Sequence, residues 1–205
     1  MKNITINQVR LLAPNIRQVY LDAFQNADAV LAAYHINDNG LRLSNFMAQI
    51  LHESGGFTIF EENMNYSAAR MMVVWKKRFP TLESAEPYAH KPRELANHVY
   101  NGRMGNSLGT DDGWNYRGRG LMQITGRKSY THYGQKLGID LVGNPALAYS
   151  AASCLKIAAE EWVESNCTPP ADQDDIVTVT QRINGGQTGI KERKDWLIKT
   201  KKIWL

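Results

Sequence analysis

Two short stretches hold the side chains best placed to do chemistry. His52-Glu53-Ser54-Gly55-Gly56 and Glu61-Glu62-Asn63-Met64-Asn65-Tyr66-Ser67 set Glu53 and Glu62 nine positions apart. The first lies at the end of an apolar helical pattern and the second beyond a short loop. Neighbouring carboxyl groups in unlike surroundings suit cleavage of a glycosidic bond. One donates a proton to the leaving oxygen, and the other stays ionised to activate water or stabilise the cation. A pair of glutamates alone is weak support, because a solvated surface Glu is the commoner reading of each.

Other stretches give the pair company. In Tyr116-Arg117-Gly118-Arg119-Gly120-Leu121-Met122-Gln123-Ile124-Thr125-Gly126, glycines flank Arg119 and polar residues alternate with apolar ones. The glycines allow close backbone approach or positive φ. The alternation predicts a short extended strand with Gln123 and Thr125 turned together into a cleft. Gln181-Arg182-Ile183-Asn184-Gly185-Gly186 reads first as a helix end with a glycine cap. Beside the other stretches, Asn184 becomes a candidate to bind a sugar amide or position a base. Residues 101–119 form a long glycine-rich segment without a period, the kind usually kept for function. Trp114 within it is a candidate sugar platform. Tyr130, His132 and Tyr133 read better as a helix face.

The elements that must position these residues are mainly helices. Apolar spacing predicts helices over 5–12, 15–34, 44–55 with Ser44 as cap, 67–79 with Ser67 as cap, and 92–100 with Pro92 first. Further helices are expected over about 145–165, 174–183 and 190–204, with 168–172 as a connector. The expected fold class is mainly α, with at most a small β-hairpin near the cleft, in a single catalytic domain over 1–205 with no second, binding domain expected.

Composition narrows the rest. The chain has 205 residues, 43% hydrophobic and 21% charged, as in a soluble globular protein. Its formal charge of +4 suits an anionic partner without choosing one. Six Lys/Arg against two Asp/Glu fall between Lys191 and Leu205. That stretch reads as a solvated helix packing its Trp residues inward, with weak contact to anionic lipid as the alternative. No segment has the length and apolarity of a membrane span, and the N-terminus lacks a secretory pattern. Synthesis in the cytoplasm is therefore expected. Cys154, in an apolar helical pattern, is expected to be a buried thiol, with a Cys154–Cys167 bridge as the lesser reading. His52-Glu53 lacks the second His of a zinc-protease helix, and no phosphate-binding glycine loop is present, so neither metal, cofactor nor nucleic acid is expected.

Together, and in this order, the four motifs His-Glu-Ser-Gly-Gly, Glu-Asn-Met-Asn-Tyr-Ser, Tyr-Arg-Gly-Arg-Gly-Leu-Met-Gln-Ile-Thr-Gly and Ile-Asn-Gly-Gly resemble glycoside hydrolase family 19 over roughly residues 44–198. The spacing looks more like the phage endolysin branch than the plant chitinases. The resemblance implies a lysozyme-like helical fold, Glu53 as general acid, Glu62 (rather than Glu61) as general base, and Thr125 holding the attacking water. It also implies Gln123 and Asn184 as substrate-binding residues, with Tyr66 and Arg193 in the cleft network. Inversion would need room for a water between carboxyl groups about 6.5–9.5 Å apart. Apolar backing by Ile50, Leu51 and Phe57 is expected to help Glu53 keep its proton. The expected substrate is bacterial peptidoglycan, cut for host lysis by a monomer reaching the periplasm and wall through a separate holin. Chitin is the alternative substrate, and a non-catalytic wall-binding module is the third reading. The nine-residue spacing is much shorter than in plant chitinases, so their distant sugar subsites need not carry over.

Overall fold

The computed structural model describes residues 1–205. Its helices are α1 (Ile6–Leu12), α2 (Gln18–Phe24), α3 (Ala27–Ala33), α4 (Gly40–Glu53), α5 (Ala68–Val74), α6 (Leu82–Ala85) and α7 (Pro92–Tyr100). They continue with α8 (Asp112–Asn115), α9 (Arg127–Leu137), α10 (Cys154–Glu164), α11 (Thr168–Asp172), α12 (Ile176–Asn184) and α13 (Ile190–Trp204). Extended pairing is confined to two isolated antiparallel bridges, Glu61 with Arg119 and Arg119 with Ile124. No helix is long and apolar enough to cross a membrane.

α4 is the central beam. Ten of its fourteen residues are buried, among them the polar Ser44, Asn45 and Gln49, as in a helix enclosed on most sides by others. Its longest partner is α13, while α11 and α12 also lie against it. From α10, Trp162 meets Phe46 edge-on at 5.5 Å. Asn39, not Ser44, caps α4 by accepting from the Arg42 amide at 2.8 Å. Ser44 lies buried inside the helix, where its Oγ has no partner.

The buried apolar side chains divide into clusters. The largest, of 27 residues, surrounds α4. A second, built from Met64, Met71, Phe79, Ala85, Leu95, Ala96 and Val99, forms a small lobe under α5–α7. A third, with Tyr116, Ile124, Tyr130, Tyr133 and Leu141, lies beneath the 116–126 segment. Tyr130 and Tyr133 are buried on the packing face of α9, as expected, whereas His132 turns outward to Glu164.

Several element boundaries differ from expectation. The helix expected over 15–34 is broken at Gln25–Asn26 into α2 and α3, and Asp28 on α3 accepts the Ile4 amide at 2.8 Å. Ser67 caps α5 as expected, but α5 stops at Val74, where Trp75 leaves helical dihedrals (φ −125°, ψ 53°). The connector expected at 168–172 is the short helix α11, whose first turn accommodates Pro169 and Pro170. Cys154 is a free buried thiol, as expected, and Cys167 is free and buried as well. On α13, Leu197 and Trp204 turn inward, and the Trp204 indole donates to Asn3 O at 3.2 Å.

Candidate active site

Glu53 is the last residue of α4. The chain leaves the helix through three consecutive left-handed residues, Gly55 (φ 56°), Gly56 (φ 68°) and Phe57 (φ 63°). For Phe57 that conformation costs about 1–3 kcal/mol. Full burial of its ring against Tyr20 and Phe24 offsets the cost. The turn brings Glu61 and Glu62 back toward the helix end. The Glu62 amide then donates to Gly118 O at 2.8 Å, and the Gly120 amide to Phe60 O at 2.9 Å.

A cleft of about 720 Å³ opens there, lined by Glu53, Glu62, Tyr66, Trp114 and Gln123 among others. Two of the carboxylates lining it, Glu53 and Glu62, have different partners. Glu53 Oε1 accepts from the Arg193 guanidinium, which also donates to Gln49 Oε1 and, at 3.4 Å, to Thr188 O. Gln49 is fully buried and donates onward to Thr180 Oγ1 at 3.2 Å. Glu62 Oε1 accepts from the Tyr100 hydroxyl at 2.7 Å, and its Oε2 lies 3.4 Å from the Gly118 amide. Burial, then the Glu62 charge, pushes the hydroxyls of Tyr66 and Tyr100 up, so both stay protonated donors.

Glu61, the adjacent alternative, has a different occupation. Its Oε2 accepts from Arg117 at 2.6 Å and Arg119 at 3.3 Å, two arginines whose side chains are 7% and 8% exposed. Arg117 also donates to Trp114 O at 2.9 Å and stacks on the Trp114 ring at 3.6 Å. Arg119 reaches the Tyr130 hydroxyl at 3.1 Å. The Arg-Gly-Arg-Gly stretch is therefore an internal scaffold that ties Glu61, Trp114 and α9 together.

Gln123 and Thr125 do not sit on a regular strand. Residues 119–124 form a tight reversal, with Arg119 and Ile124 exchanging backbone hydrogen bonds at 3.2 and 3.0 Å and Gln123 left-handed at φ 51°. The two side chains still come together. A Cβ on Gly118 would stand 3.0 Å from Gln123 Oε1, 3.3 Å from Thr125 Oγ1 and 3.5 Å from Glu62 Cβ. Glycine at 118 thus lets the amide, the hydroxyl and the carboxylate share one spot. The Thr125 hydroxyl donates to Gln123 O at 2.9 Å, leaving its lone pairs for a water.

Two expectations need correction. The apolar residues Ile50, Leu51 and Phe57 are fully buried in the main core, and the group touching the Glu53 carboxyl is Arg193. Asn184 does not line the cleft. Its amide donates to Thr188 O at 3.0 Å and its Oδ1 accepts from the Gly186 amide at 2.8 Å, closing the 184–188 loop on itself. Through Thr188 that loop supports Arg193. His52 packs where a side chain on Gly189 would stand, and burial, then Arg193, lowers its pKa.

Sequence reasoning missed Gln49, Tyr100 and Arg17. Gln49 stands one helical turn before Glu53, so its spacing was a usable signal. Tyr100 meets Glu62 from 38 residues away, a contact only the tertiary fold creates.

A helical fold whose cleft holds two carboxylates at the ends of separate supports is the arrangement of a glycosidase of the lysozyme-like class. Among solved structures, chitinase C from Streptomyces griseus HUT6037 superposes with a TM-score of 0.69 at 18% identity, over 98% of this chain and 76% of that one. A further bacterial family 19 chitinase gives 0.63 at 19% identity, over 97% of this chain and 93% of that one. No protein-family model matches the chain. In sequence, a "Glycosyl hydrolase family 19 domain-containing protein" of Haemophilus influenzae Rd is 40% identical over 156 residues, 76% of each chain. Chitinase 8 of rice (Oryza sativa subsp. japonica) is 40% identical over 63 residues, 30% of this chain and 24% of that one. The chain belongs to glycosyl hydrolase family 19, and it is a glycoside hydrolase.

Proposed function

We propose that this enzyme hydrolyses the β-1,4 glycan of bacterial peptidoglycan by an inverting mechanism, as a phage-type endolysin. Glu53 gives its proton to the glycosidic oxygen as that bond breaks. Glu62 takes a proton from a water held between its carboxylate and the Thr125 hydroxyl, and that water's oxygen bonds to the anomeric carbon. Arg193 orients the Glu53 carboxyl and pairs with the carboxylate that proton transfer leaves behind. Tyr100 fixes the rotamer of Glu62. Trp114, Tyr66 and Gln123 line the sugar path.

The observation that carries this reading is the division of labour between adjacent glutamates. Glu61 is consumed by two arginines, while Glu62 faces the cleft with only a neutral hydroxyl and an amide as partners. Peptidoglycan as substrate and a lysis setting, with a separate holin giving passage to the wall, rest on the motif frame and the short 53–62 spacing. Chitin is the second reading, favoured by the names of the rice relative and the Streptomyces structure.

The test is mass spectrometry of products from purified peptidoglycan and from chitin, with Glu53→Gln as the inactive control. Muropeptides released only by the active enzyme support the proposal, and the new reducing-end sugar names the bond. Chitin fragments without muropeptides move the enzyme to the second reading. A Glu53→Gln variant keeping more than about a tenth of the activity, roughly 1.4 kcal/mol of barrier, removes Glu53 from the acid role.

A further inference from the structure

The cleft is lined by three carboxylates, Glu53, Glu61 and Glu62, and by two guanidiniums, Arg117 and Arg17. Arg117 is committed to Glu61. Arg17 has no acidic partner. It is nonetheless held in place, because its amide donates to Phe57 O at 3.0 Å and its Nε to Thr58 O at 3.2 Å. Its guanidinium lies over the Phe60 ring at 5.4 Å. Anchoring through Nε leaves Nη1 and Nη2, the edge that grips a carboxylate with two parallel hydrogen bonds, without a protein partner.

A neutral polymer of N-acetylglucosamine offers such a group hydroxyl and acetamide acceptors but no anion to pair with. The glycan of peptidoglycan carries peptide stems with free carboxylates, which would meet repulsion from Glu62, the cleft carboxylate that no cationic side chain pairs. Resting on the peptidoglycan reading above, we infer that Arg17 is a specificity residue binding a carboxylate of the peptide stem, at the Thr58–Phe60 end of the cleft. The stem then selects the register of the glycan over Glu53 and Glu62.

The experiment compares wild type, Arg17→Gln and Arg17→Lys on three substrates: glycan strands bearing stems, the same strands with stems removed by an amidase, and chitohexaose. Thermal denaturation confirms that each variant is folded. Arg17→Gln should lower kcat/KM about tenfold on stem-bearing strands, chiefly through KM, the scale of one charge-assisted bidentate pair. The loss should stay under about twofold on the other two substrates, with Arg17→Lys in between because it keeps the charge and loses the fork. An equal loss on all three substrates would show that Arg17 only shapes the cleft mouth, and an unchanged value on stem-bearing strands would show that it binds no stem. Either result overturns the inference while leaving the peptidoglycan reading intact. Wild-type enzyme that cuts chitohexaose but neither glycan overturns both.

Discussion

Arg193→Met removes a guanidinium that is 2% exposed and serves two side-chain acceptors, Glu53 Oε1 and Gln49 Oε1. Breaking a buried pair by deleting one partner costs about 3–5 kcal/mol. The Glu53 side chain keeps 21% of its surface in water, which places the cost near the lower end, about 3 kcal/mol. For a chain of this length 1 kcal/mol moves Tm by about 2–4 °C, so calorimetry should show a fall of about 6–12 °C. Activity measured where the variant is still folded should drop about 10–100-fold, because the carboxyl proposed to meet the leaving oxygen is no longer oriented. The decisive version is a double-mutant cycle with Glu53→Gln. If Arg193 acts on Glu53, the second substitution costs less in the Glu53→Gln background, with a coupling of at least about 1 kcal/mol. Equal costs in both backgrounds, within about 0.5 kcal/mol, would refute the argument and leave Arg193 as a support for Gln49 and the 184–188 loop.

Three further outcomes are expected. Tyr100→Phe should lower kcat about tenfold, the order of one hydrogen bond to a charged group, with KM little changed in steady-state kinetics. Glu61→Gln should destabilise the fold by about 2–3 kcal/mol in urea melts, because Arg117 and Arg119 lose their shared counter-charge, yet cost less activity than Glu62→Gln. Glu161 carries a buried Oε2 with no partner, and burial, then the Glu53 and Glu164 charges, pushes its pKa up to about 8. The folded state therefore holds a proton that the unfolded chain releases near pH 4.5, so stability falls as pH rises from about 4.5 to 8. Glu161→Gln should flatten that part of the Tm-against-pH curve and leave the variant the more stable form at pH 8.

What the sequence discloses follows from how local each cause is. Helix α7, begun by Pro92, and the Ser67 cap of α5 depend on neighbours within one turn and are read directly. The break at Gln25–Asn26 could not be, because no Pro or Gly marks it. Glu62, Gln123 and Thr125 do converge at Gly118, although the segment expected as a strand is a tight reversal over 119–124. The preference for Glu62 over Glu61 came from the motif frame, and its physical reason appears only when Arg117 and Arg119 fold back onto Glu61. Asn184 shows the opposite limit. Its residue type suits a sugar amide, yet it stands outside the cleft and bonds to Thr188 and Gly186 of its own loop.

The two carboxyl groups proposed to react hang from different bodies. Glu53 belongs to the beam at the centre of the main core, whereas Glu62 is gripped by Tyr100 at the end of α7, on the small lobe with its separate seven-residue core. The gap that a water molecule must fit is thus a caliper whose jaws are set by how two independently packed bodies lean on each other. Substitutions at Met71 or Leu95, remote from any reacting atom, would reset that gap by tilting one jaw. Tuning of turnover to temperature or to a bulkier wall polymer is then open to selection in the small lobe's packing, with both glutamates untouched.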